Sequence, residues 1–290
     1  MSTDQSSYCL LDSGNGRKLE RFGAFVLDRP CAQAVWRKSL PARDWSKADA
    51  VFIREAGTTG WQFRGAWPEY WLCELAGVLF RLQATDFGHV GVFPEHALGW
   101  QKMRSVAAQK TAGKLNILNL FAYSGGATLA LAQAGCTVCH LDASPKMVNW
   151  GRQNAALNHL EAAPIRWIVD DVQKFLQREL RRGRRYDGVV LDPPSFGRGS
   201  KQELFQIDQH ILDLLALTRQ VLSPHGAFVF FSCHTPGYTP LVLTHLLTQG
   251  LPPGNIEAGE LTLPAEGNIL PVPSGTYAFW QQNPSPGPRR

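Results

Sequence analysis

Three acidic residues, Asp142, Asp171 and Asp192, each follow within two residues of a short apolar run that is typical of a buried strand. Unpaired carboxylates cost free energy inside a protein, so core packing does not explain this arrangement. In open α/β sheets, ligands bind beyond the carboxyl ends of the strands. We therefore expect these three carboxylates to line a cleft, where they accept hydrogen bonds from ligand hydroxyl and amine groups.

A glycine turn, Tyr123-Ser124-Gly125-Gly126, lies before all three acids in the chain. The preceding run, Ile117–Phe121, predicts a strand buried on both faces, and Ala127–Ala134 predicts a helix that ends at Gly135. Small residues let the backbone turn sharply and approach a ligand, and the first amides of a helix have no partner within it. This order of elements predicts a nucleotide-type binding corner.

Two of the acids have both a ligand-binding and a structural interpretation. Asp142 lies 18 residues after Ser124, close to the spacing at which an acid on the second strand accepts the ribose hydroxyls. Alternatively, Asp142 caps the helix that Ser144 and Pro145 begin and that we expect to reach about residue 160. Asp171 begins the next helix, where it either accepts from an adenine amine or caps that helix.

The turn and the third acid together favour S-adenosylmethionine over a nicotinamide cofactor. A dinucleotide needs three spaced glycines to seat its pyrophosphate, and this turn is Tyr-Ser-Gly-Gly. Asp192-Pro193-Pro194 ends the strand Tyr186–Leu191, and its prolines provide no N–H donors. Carbonyl and carboxylate acceptors then face the cleft, which suits a methyl acceptor and a cationic cofactor. The alternative is a simple strand-terminating turn.

From Asn116 onwards, predicted strands alternate with predicted helices, which indicates a parallel sheet with helices on both faces. The clearest apolar stripe with helical spacing lies within Glu203–Leu222. The later expected elements are a strand at Ala227–Ser232, a helix at Tyr238–Thr248, and strands at Ile256–Leu263 and Thr276–Trp280.

Residues 1–110 are expected to form a β-rich substrate or lid region, residues 111–283 the cofactor-binding domain, and residues 284–290 an unstructured tail. Expected strands in the first region are Phe22–Leu27, Val51–Arg54, Tyr70–Leu75 and Val78–Leu82, with a helix near Gln101–Thr111. Six of the nine tryptophans lie here, interleaved with arginines. They either fill the core of a small domain or form a stacking surface for single-stranded RNA.

Composition limits the possible class of protein. The chain has 290 residues, a formal net charge of +5 and a pI near 8.9, which permits a nucleic-acid partner. Its six cysteines are scattered, and the Cys136-Thr-Val-Cys139 pair falls on an expected strand, so we interpret them as buried thiols and infer no metal. With no signal pattern and no apolar run of membrane length, we expect a cytoplasmic protein.

Residues 116–280 resemble class I S-adenosylmethionine-dependent methyltransferases, most closely the branch of bacterial large-subunit ribosomal RNA methyltransferases. The resemblance rests on NLFAYSGGATLALAQAG, HLDASPKMVNWGRQNAALN, RWIVDDVQKFL and YDGVVLDPPSFGRG. It implies an α/β fold: a Rossmann-like seven-stranded sheet, mostly parallel with an antiparallel C-terminal strand, beside a smaller β-rich N-terminal domain. The first hundred residues do not resemble the PUA RNA-binding domain of some relatives.

The resemblance also implies a set of cofactor-binding residues. They are Phe121, Tyr123, Ser124, Gly125, Asp142, Asp171, Asp192 and Pro193. In the family, Asp142 would hold the ribose, Asp171 would lie near adenine, and Asp192 beside the methionine portion. The segment from Phe93 to His96 resembles the part that these enzymes fold over the cofactor.

The target atom depends on two further positions. Amino-methylating relatives usually place an aromatic residue directly after the two prolines, but here Ser195 stands there and Phe196 follows. The 5-methylcytosine enzymes use a cysteine at the end of the fifth strand, where this chain has Cys233. We therefore expect Cys233 as nucleophile, with Asp192 bonding the base; the alternative is a buried thiol.

The sequence thus predicts a methyltransferase that acts on a base, most simply in ribosomal RNA. Two alternatives stay open: the same catalyst acting on DNA, a protein or a small molecule, and a non-catalytic RNA-binding protein that retains the cofactor fold. A basic loop with Arg178, Arg181, Arg182, Arg184 and Arg185 is expected on the opposite side of the sheet. It is either a solvated turn or a contact for RNA phosphates. The sequence does not give the oligomeric state.

Overall fold

The computed structural model describes residues 7–55, 57–109, 113–198, 204–265 and 268–283. The chain divides into two units. The smaller contains the described residues up to Ala97 together with Leu261–Ser274, and the larger contains Leu98–Glu260 and the described residues from Gly275 onwards. The expected tail, 284–290, lies outside the described residues. In the part of the chain that is described, no helix is long and apolar enough to cross a membrane.

The strands, in chain order, are β1 (Tyr8–Gly14), β2 (Arg17–Phe22), β3 (Phe25–Pro30), β4 (Ala50–Glu55), β5 (Thr58–Phe63), β6 (Trp71–Leu75), β7 (Val78–Leu82), β8 (Asn116–Leu120), β9 (Thr137–Asp142), β10 (Ile165–Val169), β11 (Gly188–Leu191), β12 (Phe196–Arg198), β13 (Leu204–Gln206), β14 (Phe228–Cys233), β15 (Gly254–Thr262) and β16 (Pro273–Gln282). The helices are α1 (Ala42–Trp45), α2 (Ala97–Gln109), α3 (Gly126–Gln133), α4 (Pro145–Leu157), α5 (Val172–Arg181), α6 (Ile207–Val221) and α7 (Pro240–Gly250).

The larger unit is organised by a seven-stranded sheet with the order β10-β9-β8-β11-β14-β16-β15. The pairs from β10 to β14 are parallel, and β16 runs antiparallel to β14. This confirms the expected α/β fold. The carboxyl ends of the parallel strands form one edge of the sheet, here called the carboxyl edge. Their first residues form the opposite, amino edge.

Local sequence signals set the ends of the helices that flank the site. The Ser144 side chain accepts from the Met147 amide at the start of α4, with Pro145 in the first turn. Gly135, just beyond the end of α3, has φ +83°, a left-handed conformation that glycine adopts without steric cost. The buried stripe of α6, from Ile211 to Val221, packs into the main hydrophobic core with β11 and β14.

One predicted helix was too long. The segment Glu203–Leu222 was expected to be helical, but α6 begins only at Ile207. Leu204–Gln206 is instead strand β13, which pairs antiparallel with β12, a strand that begins two residues after Pro194. The apolar stripe continues through both elements, so it could not mark the change from helix to strand.

The smaller unit is β-rich, as expected, with a five-stranded sheet β1-β2-β3-β4-β5 and the hairpin β6-β7. The expected strand Phe22–Leu27 is wrong, because a turn at Gly23 and Ala24 divides it between β2 and β3. Gly23 has φ +59°, and a Cβ there would lie 2.2 Å from the Leu72 carbonyl oxygen. Only glycine fits this turn without a shift of the backbone.

Several tryptophans of the smaller unit pack against other aromatic rings of that unit. Trp45 and Trp71 are buried. The Phe63 ring is stacked on Trp67 at a centroid distance of 4.6 Å and lies parallel to Trp61 at 6.1 Å. Because these ring faces contact neighbouring rings, the packing favours the core interpretation. An RNA-stacking role at these rings stays a prediction.

Candidate functional site

The glycine turn at the carboxyl edge has an unusual backbone. Phe121, Tyr123 and Gly125 all have positive φ, at +56°, +51° and +96°. Left-handed conformations at two aromatic residues in one turn cost free energy, and such strain clusters at ligand sites. The turn holds itself together, since the Gly125 amide donates to the Ala122 carbonyl at 3.0 Å. Gly125 then forms the N-cap of α3, without a side-chain cap.

Asp142 ties this turn to the next strand. Its Oδ2 accepts from the Tyr123 amide at 2.9 Å, and its Oδ1 accepts from the Ser144 amide at 2.8 Å. Burial raises the pKa of Asp142 above its ordinary value, although the two amides act in the opposite direction. Each oxygen keeps a second lone pair, so this carboxylate can still accept two ligand hydroxyls. Sequence reasoning did not find its role in holding the turn.

A buried polar network lies behind the turn and was also missed from sequence. The Asn154 side-chain amide, on α4, donates to the carbonyl of Ser124 at 3.0 Å, and both residues are buried. Within the adjacent core, Asn119 donates to the Thr128 hydroxyl, which lies 3.0 Å from His140 Nδ1. Burial lowers the pKa of His140 to about 3, so its ring is neutral. The only sequence signal that could have indicated this buried network was an asparagine on the apolar face of α4.

Asp171 lies at the carboxyl end of β10 and caps α5, where its Oδ1 accepts from the Lys174 amide at 3.0 Å. The structural interpretation of this residue is therefore confirmed, and contact with adenine stays a prediction. The neighbouring Asp170 has a different role, because its carboxylate is paired with Arg178 and accepts from the Asp171 amide. Only the second acid of this pair is a candidate ligand contact.

Asp192 follows β11 at the centre of the carboxyl edge and is oriented by β14. Its Oδ1 accepts from the Ser232 hydroxyl at 2.8 Å and lies 3.6 Å from His234 Nε2. Pro193 is buried, so it anchors the loop rather than offering a contact surface. The Ser195 hydroxyl lies 2.7 Å from the Thr235 hydroxyl, which links this loop to the end of β14.

Cys233 ends β14, but its side chain lies on the other face of the sheet from Ser232, in the core formed with α6 and α7. The residue is 1% exposed, and its Sγ accepts from the Thr235 amide at 3.5 Å. Burial raises the pKa of the thiol, and the Asp192 and Asp208 carboxylates raise it further. At neutral pH the sulfur is therefore a thiol and not a thiolate.

Together these residues place hydrogen-bond acceptors along the carboxyl edge. The Asp142 carboxylate has free lone pairs at the end of β9, and Asp192 places a second carboxylate two strands away, after β11. A Cβ on Gly126 would lie 2.3 Å from the Trp100 ring, so the start of α3 admits only glycine without repacking. A mostly parallel sheet with this glycine turn and these acids defines the class of Rossmann-like methyltransferases.

Comparison with known proteins agrees with this class. The family described as S-adenosylmethionine-dependent methyltransferase matches residues 53–248. A solved S-adenosylmethionine-dependent methyltransferase from Agrobacterium tumefaciens is 37% identical, with a TM-score of 0.91, over 96% of this chain and 91% of that chain. The chain therefore belongs to the S-adenosylmethionine-dependent methyltransferase family.

Two relatives are named for their substrate. The ribosomal RNA large subunit methyltransferase K/L of Shewanella sp. (strain MR-4) is 31% identical over 157 residues, which are 53% of this chain and 21% of that protein. The ribosomal RNA large subunit methyltransferase I of Klebsiella pneumoniae (strain 342) is 30% identical over 160 residues, 55% of this chain and 38% of that protein. The chain thus matches well under half the length of these relatives.

Proposed function

We propose that this protein transfers the methyl group of S-adenosylmethionine to a base of ribosomal RNA in the cytoplasm. The observation that carries the proposal is the strained turn held to Asp142 through the Tyr123 amide, with Asp192 further along the same edge. Relatives that are about 30% identical and are named for ribosomal RNA support the substrate. The smaller, β-rich unit is proposed to contribute to substrate binding.

The proposed roles follow from position. Asp142 holds the ribose and the turn of Phe121, Tyr123, Ser124 and Gly125 surrounds the cofactor, while Asp171 lies beside adenine. Asp192 accepts a hydrogen bond from the target base and fixes it in line with the sulfonium methyl group, since this reaction depends mainly on alignment. Ser232 keeps the Asp192 carboxylate in that orientation.

Two target atoms are consistent with this site. For cytosine C5, the Cys233 thiolate would add to C6 and leave again after methyl transfer and loss of the C5 proton. The burial and raised pKa of Cys233 oppose this step at neutral pH. They favour a base amino nitrogen, for which Asp192 is sufficient and no thiolate is needed. Cys233→Ser separates the two targets: lost activity indicates C5, whereas retained activity indicates an amino nitrogen.

The test of the proposal uses methyl-labelled S-adenosylmethionine and large-subunit ribosomal RNA from cells that lack this protein. We expect label in that RNA, at one nucleoside identified by mass spectrometry, and none in RNA from wild-type cells, where the site is already methylated. Cofactor binding without transfer to any RNA would instead favour the non-catalytic alternative. Transfer only to DNA, protein or a small molecule would show that the methyl acceptor is not ribosomal RNA.

A further inference from the structure

A cavity of about 210 Å³ lies at the amino edge of the seven-stranded sheet. Its walls include the first residues of β8 and β9, together with Arg166, Arg184, Arg185 and Tyr186. The five-residue strand β8 separates this edge from the candidate cofactor site by about 16 Å. The cavity is therefore distinct from the site described above.

A buried carboxylate organises the arginines around this cavity. Glu179 has no exposed surface; it accepts from the Arg166 guanidinium at 2.8 and 3.2 Å and from the Tyr186 hydroxyl at 2.6 Å. Arg182 and Arg184 pair with the same carboxylate at 3.4 and 3.7 Å. One carboxylate cannot use all the N–H donors of three guanidinium groups, so donors remain for another anion.

The end of α5 places more arginines on this surface. Gly183 has φ +64°, its amide donates to the Leu180 carbonyl, and the Arg184 amide donates to the Glu179 carbonyl. This Schellman motif ends the helix and leaves the side chains on both sides of the glycine exposed. The Asn116 side chain fixes the loop by donating to the Arg185 carbonyl at 2.9 Å.

The charge at this edge is strongly unbalanced. The amino-edge arginines are Arg166, Arg181, Arg182, Arg184 and Arg185. The carboxylates at this edge include Glu179, Glu161 in the loop before β10, and Asp187, which accepts from the Asn116 amide and the Ser223 hydroxyl. Attraction to the carboxyl end of α5 accounts for Arg181 and Arg182, but not for Arg185 beyond the helix or Arg166 on β10.

We propose that the amino-edge arginines bind backbone phosphates of the RNA whose target base enters the carboxyl edge. Planar guanidinium groups on a rigid base match the geometry of phosphate oxygens. An RNA that contacts both edges must extend past the whole sheet. The substrate is therefore a folded RNA segment and not a short oligonucleotide. This inference rests on the proposed function, because it concerns the same RNA.

The test compares two full-length double variants with equal charge changes. Arg181→Glu/Arg185→Glu alters the amino edge without touching the Glu179 pairs, and Arg152→Glu/Arg219→Glu alters exposed arginines of α4 and α6 that are not among the amino-edge arginines. The probe is a transcribed large-subunit ribosomal RNA fragment of several hundred nucleotides, with a short single-stranded oligonucleotide for comparison. Affinity is measured over a series of KCl concentrations, and S-adenosylmethionine binding by calorimetry reports an intact larger unit.

We expect the amino-edge variant to bind the long RNA at least about tenfold more weakly, with a salt slope reduced by roughly 1.4 to 1.8 for two lost phosphate contacts. The control variant should bind like wild type, and Arg181→Lys/Arg185→Lys should largely restore affinity. Equal affinity and slope for wild type and the amino-edge variant would overturn this inference alone. If wild-type protein binds cofactor but no RNA, the proposed substrate fails as well.

Discussion

The two edges of the seven-stranded sheet use opposite charges and hold them by different means. At the carboxyl edge, Asp142 is held by two backbone amides that cannot move without shifting the turn. At the amino edge, the charges are arginine side chains. Arg166 is held by the buried Glu179 carboxylate, which also accepts from the Tyr186 hydroxyl, and such side-chain contacts adjust more easily than a backbone turn. A small ligand with one shape requires the first arrangement, whereas a phosphate backbone with many conformations tolerates the second.

The largest expected effect tests the chemistry at the carboxyl edge. Asp192→Asn removes the charge that we propose orients the target base, and we expect the rate of methyl transfer to fall on the order of 100- to 1,000-fold. Ser232→Ala removes one donor to this carboxylate and should lower the rate about fivefold to tenfold. Initial rates with labelled cofactor measure both. Unchanged rates in the Asp192 variant would exclude its proposed role.

The next prediction tests whether cofactor affinity depends on residues of the carboxyl edge and not on those of the amino edge. Asp142→Asn places an amide where two backbone N–H groups need acceptors. We expect the free energy of cofactor binding to weaken by about 2 to 3 kcal/mol, so that the cofactor Kd rises on the order of 100-fold. Asp187→Asn is the matched control, because Asp187 also accepts from a backbone amide and a second donor, but at the amino edge. Calorimetry should detect weaker cofactor binding only in the first variant.

The third prediction compares the cost of adding a Cβ to a glycine at each edge of the sheet, Gly126 at the carboxyl edge and Gly183 at the amino edge. Gly126→Ala would force the buried Trp100 ring to move, with an expected loss of about 2 kcal/mol of unfolding free energy. A Cβ on Gly183 meets nothing within 4 Å, so Gly183→Ala adds only left-handed strain of about 1 kcal/mol. Urea unfolding measures both. Equal losses would mean that the space at Trp100 does not limit the turn.

The last prediction concerns the pH dependence of the unfolding free energy. Burial raises the pKa of Glu179, but Arg166 and Tyr186 lower it more, so its net pKa lies below the ordinary value. The carboxylate therefore stabilises the folded state above the pKa of the unfolded chain, near 4.3. This contribution is lost as the pH falls through the folded pKa. Glu179→Gln should cost about 2 kcal/mol at pH 7. The difference from wild type should shrink below about pH 4, and a constant difference would contradict this account.

Much of the larger unit was predictable because its signals are local. Ser144 and Pro145 start α4 as expected, and β14 (Phe228–Cys233) lies within one residue of the expected strand Ala227–Ser232. The acids at strand ends followed from equally local signals, since each comes soon after a short and mostly apolar run. The membership of the family was also expected from four segments of the sequence.

The rest depended on contacts between residues far apart in the chain. No local pattern indicates that Asn154 holds Ser124, or that Ser232 orients Asp192 across 40 positions. The position of Cys233 at a strand end was foreseen, but which face its thiol occupies depends on how α6 and α7 cover the sheet. The hairpin of β12 and β13 was hidden because its apolar residues continue the stripe of α6.

The most direct test is a crystal structure of the protein with S-adenosylhomocysteine. We predict that its ribose hydroxyls contact the Asp142 carboxylate and that the turn Phe121–Gly125 surrounds its adenosyl group, with the sulfur atom towards Asp192. A ligand bound at the amino-edge cavity, or a carboxyl edge that stays empty at saturating ligand, would contradict the account.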